Sequence, residues 1–116
     1  MKKIYHLASC TTCKKIIAAI DPDPTFELQD IKTTALTPAA LEEMHKHSGS
    51  YEALFSKRAQ LYKERGLKNQ NLTEEHYKAL ILEHYTFLKR PVMIHNDEIF
   101  IGNAKKTVAA AIRSLQ

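Results

Sequence analysis

The stretch Ser9-Cys10-Thr11-Thr12-Cys13-Lys14-Lys15 holds the only two cysteines of a 116-residue chain, three positions apart. Before it lies a short apolar run, Ile4-Tyr5-His6-Leu7, whose composition predicts a buried strand. After it, Ile16, Ile17 and Ile20 recur at helical spacing, and Cys13 belongs to the same stripe. Strand, tight turn, Cys-x-x-Cys and helix is the arrangement of a redox dithiol with one thiol at a helix N-terminus. The unpaired amides and the positive dipole end of a first helical turn stabilise an anion. Cys10 is therefore expected to have a lowered pKa and to be the attacking group, since the thiolate is the species that attacks in disulfide exchange. Cys13, one turn on and facing inward, is placed to resolve a mixed disulfide formed at Cys10. Lys14 and Lys15 oppose the helix dipole and make better sense beside a site that carries negative charge.

Two other readings of the cysteines are weaker. They could be half of a zinc site, but structural zinc takes four ligands. There is no second cysteine pair, and His45 and His47, two apart, diverge on a helix, so no metal is expected. Cys13 alone could be an ordinary buried thiol, but that leaves its spacing from Cys10 a coincidence.

Composition sets the frame. A chain of this length with 44% hydrophobic residues fits one domain, residues 1–116. The formal charge is +4 and the pI about 9.1. The lysines are scattered along the sequence with no aromatic-interleaved basic stripe, so direct nucleic-acid binding is not expected. No apolar run approaches a membrane span, and Lys2-Lys3 with a short apolar stretch does not make a signal peptide. The expected address is the cytoplasm, where a Cys-x-x-Cys is more often catalytic or redox-sensing than a permanent staple.

In chain order, Asp21-Pro22-Asp23-Pro24 breaks the first helix, and Phe26 to Ile31 alternates as a second strand. Strand, helix, strand over this span implies a parallel crossover unit. Residues 36–88 read as a helical insertion. Thr37-Pro38 starts a helix with Leu41 and Met44 inward, and Ser48-Gly49-Ser50 ends it. A segment through Lys57-Arg58 closes at Gly66. Thr73 then caps a helix with Tyr77, Leu80, Ile81 and His84 on its inner stripe, His84 as a core or boundary histidine. Val92–His95 and Glu98–Ile101 flank a two-residue hairpin turn, Asn96-Asp97. A last helix after Gly102-Asn103 shares Ala104, Val108, Ala111, Ile112 and Leu115 on one face. The order βαβ, helical insertion, ββα suits an α/β fold with a four-stranded mixed sheet flanked by helices. With the dithiol, it predicts a thioredoxin-like fold.

Pro91 forces Arg90 into extended backbone. A proline entering this strand is where thioredoxin-like folds place a cis residue facing the cysteines. Arg90 would then stand near Cys10 and offer its forked donors to an anionic substrate. The alternative is a solvated arginine at a strand start.

Four segments together resemble the arsenate reductase-like (ArsC/Spx) family. They are Cys10-Thr11-Thr12-Cys13-Lys14-Lys15, Leu54-Phe55-Ser56-Lys57-Arg58, Leu88-Lys89-Arg90-Pro91-Val92 and Phe100-Ile101-Gly102. The resemblance covers nearly the whole chain and implies a helical insertion between strands two and three. In arsenate reductases of this family one cysteine attacks arsenate and several arginines bind the oxyanion. Cys10 matches that nucleophile and Arg90 one of the arginines. Ser56 stands at a second arginine position, with Arg58 close by, and Ile101-Gly102 at a third. Each missing charge-assisted bond removes about 1.5–3 kcal/mol from oxyanion binding. The resemblance thus implies a thiol-dependent reductase of a disulfide or oxyanion. Its site would comprise Cys10, Cys13, Arg90, Arg58, Pro91 and Lys14. No bound cofactor is expected, and glutathione or a thioredoxin/glutaredoxin partner would supply electrons to a small thiol or anionic substrate. The alternative it implies is a Spx-like redox-switched regulator that binds RNA polymerase through the C-terminal domain of the polymerase α chain. Such regulators usually carry a longer C-terminal extension, so the end at Gln116 favours the reductase.

Overall fold

Ile4 and Tyr5 lie at the centre of the first strand and lose nearly all contact with solvent. The strand, β1 (Lys2–His6), sits inside a sheet of order β2-β1-β3-β4. A computed structural model describes all 116 residues and divides them into two compact units. One is Met1–Ala35 with Arg90–Gln116, and the other is Leu36–Lys89.

In the first unit β1 runs into α1 (Thr11–Ile20) and returns as β2 (Glu27–Asp30), parallel to β1. A parallel pair cannot be closed by a tight turn, so the helix is the crossover. β3 (Val92–His95) runs antiparallel to β1, and β4 (Glu98–Ile101) antiparallel to β3. Asn96, with φ 57°, supplies the left-handed backbone of the hairpin turn between them. Ile4, Met93 and Phe100 are register partners in one row across the sheet. They meet Ile16 and Ile20 of α1 and Ala111 of α5 (Lys105–Ser114) in the core, with Phe26, Val108, Ile112 and Leu115 packed around them. Tyr5, Val92 and Ile94, on the alternate positions, are equally buried. The sheet is mixed, as the sequence predicts, and the apolar period of two accounts for both buried faces.

The second unit is helical. α2 (Pro38–Ser48) begins at Thr37, whose hydroxyl accepts from the Ala40 amide at 3.1 Å, and ends at Gly49 with φ 73°. α3 (Gln60–Glu64) is short and closes at Gly66, φ 63°. α4 (Glu74–Glu83) begins at Thr73 with a capping box in which His76 replaces the usual Glu or Gln. The Glu74 carboxylate also accepts from the amides of Tyr51 at 2.7 Å and Glu52 at 3.1 Å, holding a 3-10 turn at Glu52–Leu54. Phe55 stacks on Phe87 at 5.2 Å and meets Tyr62 and Tyr77 at 5.8 and 4.8 Å. An isolated antiparallel bridge, Phe55 to Leu88, ties the two segments together through Ser56 N–H to Phe87 O (2.7 Å) and Lys89 N–H to Leu54 O (2.8 Å).

Two sequence expectations need correction. His84 does not lie on the helical stripe: α4 ends at Glu83, and His84 is extended (φ −146°, ψ 133°). Its ring accepts the Thr86 amide at 3.2 Å, so a local side-chain bond replaces another helical turn. Ala104 lies ahead of α5 in extended backbone and is exposed, so the inner stripe of that helix starts at Val108.

Candidate functional site

The end of the sheet where β1 and β4 stop and β3 starts collects the residues that the sequence singles out, apart from Arg58. Tyr5, Val92 and Ile101 are register partners there. The turn after β1 is folded by the Cys10 amide donating to Leu7 O at 3.0 Å. Asp30, at the end of β2, braces the same turn from outside by accepting the Ala8 amide at 3.4 Å, while also accepting the Lys32 amide of its own turn at 3.2 Å. Asp30 carries no sequence signal for this role, because its partner lies 22 residues away.

Cys10 is the N-cap of α1, with extended backbone (φ −87°, ψ 116°), and its carbonyl accepts the Lys14 amide at 3.1 Å. The position is usually filled by a hydroxyl or carboxylate that accepts the amides two or three residues on. Here a partly exposed sulfur stands in its place without closing a full capping hydrogen bond. The Cys13 amide holds the Cys10 thiol below its ordinary pKa. Burial opposes the shift, and the Cys13 thiol, the Thr12 amide and the charge of Arg90 reinforce it. Cys13, buried on the inner stripe of α1, is pushed the other way, first by burial and then by the adjoining Cys10. A Leu7 backbone hydrogen bond and Arg90 only partly offset this. The pair is thus asymmetric: the partly exposed Cys10 thiol is shifted toward ionisation and the buried Cys13 thiol away from it. This is the distribution that exchange through an attacking and a resolving sulfur requires.

Arg90 and Pro91 are joined by a cis peptide, and Arg90 lies within electrostatic reach of both sulfurs. Pro91 is buried, and its carbonyl accepts the Gly102 amide at 2.9 Å. Lys14 is exposed on the first turn of α1. Cys10, Cys13, Lys14, Arg90 and Pro91 therefore share the sheet unit. Arg58 belongs to the helical unit, exposed in the segment ahead of α3. No three His, Cys, Asp or Glu side chains converge on a point that could hold a metal ion. No helix is long and apolar enough to cross a membrane.

Comparison with known proteins agrees with this geometry. A global transcriptional regulator, Spx 2 of Bacillus anthracis, is 25% identical over 105 residues, 88% of this chain and 79% of the relative. An arsenate reductase of Haemophilus influenzae is 26% identical over 110 residues, 90% of this chain and 93% of the relative. The structure of an arsenate reductase from Vibrio cholerae superposes with a TM-score of 0.73 at 23% identity, over 95% of this chain and 96% of that one. At that identity the likeness speaks to the fold, which is thioredoxin-like, a four-stranded mixed sheet with helices. The ArsC family model matches residues 5–111, from the middle of β1 to the buried face of α5, and this chain is a member of the ArsC family.

Proposed function

We propose that the protein is a thiol-disulfide reductase in which Cys10 attacks and Cys13 resolves. The observation that carries the reading is the placement of the two thiols, Cys10 partly exposed at the N-cap of α1 and Cys13 buried one turn on, which favours ionisation of the first and disfavours that of the second. Cys10 thiolate attacks one sulfur of a substrate disulfide and displaces the other as a thiolate. Cys13 loses its proton and attacks Cys10, releasing the second substrate sulfur and leaving a Cys10–Cys13 disulfide. Two electrons have then passed to the substrate, with the proton given up by Cys13 going to one released thiolate and the second taken from solvent. Glutathione, or a thioredoxin or glutaredoxin, returns the dithiol to its reduced form, with no bound metal or organic cofactor. Arg90 positions an anionic group of the substrate beside Cys10. An oxyanion such as arsenate fits less well, because Ser56 and Ile101-Gly102 occupy positions where the resemblance implies arginines.

The decisive experiment is a redox titration in glutathione buffers, counting free thiols by mass tag, followed by turnover of a small disulfide with glutathione. A reversible Cys10–Cys13 disulfide with a potential near the range of thioredoxins and glutaredoxins, about −270 to −200 mV, is expected. If no intramolecular disulfide forms, the resolving role of Cys13 is wrong. The similarity to Spx 2 supports a second reading, in which the same dithiol is a switch that alters binding to RNA polymerase. That reading predicts the disulfide without turnover, and a redox-dependent complex with the C-terminal domain of the polymerase α chain.

A further inference from the structure

We propose that the Cys10 end of the sheet unit is a docking face for an acidic protein surface that borders a disulfide. The proposal rests on the dithiol reading above and names the partner of that site.

Both helices of the unit start at one end of the sheet. β1 and β4 terminate in the row Tyr5, Val92, Ile101, and the chain turns back from there into α1 and α5. The two helices pack on each other over the same core. Gly102, just ahead of α5, is hydrogen-bonded to Pro91, next to the arginine whose charge reaches Cys10. Lys14 and Lys15 on α1 and Lys105 and Lys106 on α5 therefore lie toward the end of the sheet unit where Cys10 stands, and all four are exposed.

The distribution of charge is lopsided. With Arg113, the two helices hold five cations and no carboxylate. The other twelve Lys and Arg residues of the chain meet thirteen Asp and Glu residues, so the whole excess of +4 originates in these helices. Elsewhere Lys2, Lys3, Lys57, Lys78 and Arg65 are paired with carboxylates, whereas the four lysines are in none of the molecule's ion pairs. Neither helix has an acidic residue in its first turn or a side-chain cap. Lysines at these positions oppose the local dipole and one another, a cost the fold itself does not offset.

A negatively charged partner does offset it. Two helix starts with two lysines each present more positive charge than one small anion neutralises, and a carboxylate-bearing protein surface matches their number and spread. Complementary potentials of this kind raise encounter rates by about 10- to 1,000-fold at low salt. Ala18, Ala19 and Ala109, each one helical turn beyond a lysine, are also exposed and leave a smooth surface. Alanine has no rotamer freedom to lose when a partner settles on it.

The test uses the full chain as Cys13→Ser, so that only Cys10 reacts. It is mixed with three peptides of equal length, each carrying one cysteine as a pyridyl disulfide flanked by Glu, Gln or Lys. Attack by Cys10 thiolate forms a protein–peptide disulfide and releases thiopyridone, whose absorbance gives the rate. The Glu peptide is expected to react about tenfold faster than the Gln peptide at low salt and the Lys peptide slower. The advantage should fade toward unity in high salt. Adding Lys105→Glu and Lys106→Glu should remove it, while Lys46→Glu with Lys68→Glu, in the helical unit, should not. Equal rates for the Glu and Gln peptides at low salt, or an advantage that survives the α5 reversals, overturn the docking proposal alone. Failure of every peptide to react overturns the dithiol reading as well. Lysine-dependent retention of a labelled single-stranded oligonucleotide, with no preference among peptides, overturns the proposal in favour of nucleic acid.

Discussion

The longer helices of the two units begin in opposite ways. In the helical unit α2 and α4 open on Thr37 and Thr73, whose hydroxyls accept first-turn amides, and Glu74 and Glu75 follow the second cap. In the sheet unit α1 and α5 open on Cys10 and Ala104, with no side-chain cap, no acid in the first turn and two lysines each. The first pattern satisfies the free amides and the dipole from within the chain. In the second no hydroxyl or carboxylate does so, and the two helix starts lie at one end of one sheet, the end that holds Cys10. Local rules of helix stability are broken at the end of the sheet that holds the two cysteines, and kept in the helical unit.

The largest effect that tests this contrast is at Cys10. Cys10→Ser removes the nucleophile and should abolish disulfide turnover, yet serine is a favoured N-cap and should raise stability by about 0.5–1 kcal/mol. A denaturant melt that shows a loss instead would mean the sulfur is part of the packing. The thiols also differ in pH response. The pKa of Cys10 is depressed in the folded state, so folding favours its thiolate. That contribution is present above the unfolded thiol pKa and is lost as pH falls through the folded value. Iodoacetamide should therefore modify Cys10 at a rate whose pH midpoint lies below that of an ordinary thiol, about 8.5. Cys13, shifted upward, should stay slow through the same range.

Next in size is the packing of the helical unit. Phe55→Ala would open the cluster formed with Tyr62, Tyr77 and Phe87 and should cost about 3–5 kcal/mol. Its thiol titration should stay unchanged if reactivity is a property of the sheet unit alone. A shift in the Cys10 titration would break the comparison. Thr73→Ala should cost about 1 kcal/mol through the lost cap. An equal loss on replacing Ala104 would contradict the absence of a cap at α5.

What the sequence revealed and what it hid follow from the range of the interactions. The strands, the caps at Thr37 and Thr73 and the inward Cys13 depend on neighbours within a turn or two, so periodicity and residue type expose them. The Asn96-Asp97 hairpin is local in the same way. His84 was hidden because its ring competes for a backbone amide, which the apolar pattern does not register. Asp30 and Glu74 brace turns 22 and 23 residues away, and nothing local marks them. The lysines are the clearest case. Scattered along the chain, Lys14, Lys15, Lys105 and Lys106 form no basic stripe, and only the strand pairing, which starts α1 and α5 from one end of the sheet, brings them to the same end.

The smallest effect is the most discriminating, because its sign is opposite to that of Thr73→Ala. Lys105 and Lys106 are the first two residues of α5, where a cation faces the positive end of the dipole and a carboxylate would complement it. Lys105→Glu and Lys106→Glu should each stabilise the protein by about 0.3–1 kcal/mol at low salt. The gain should shrink as salt screens the exposed charges. Stabilisation together with loss of the preference for the acidic peptide would show that the open helix start is kept for a partner at the expense of stability. Destabilisation would mean that these lysines hold the fold, and the distinction between closed and open helix ends would lose its functional meaning.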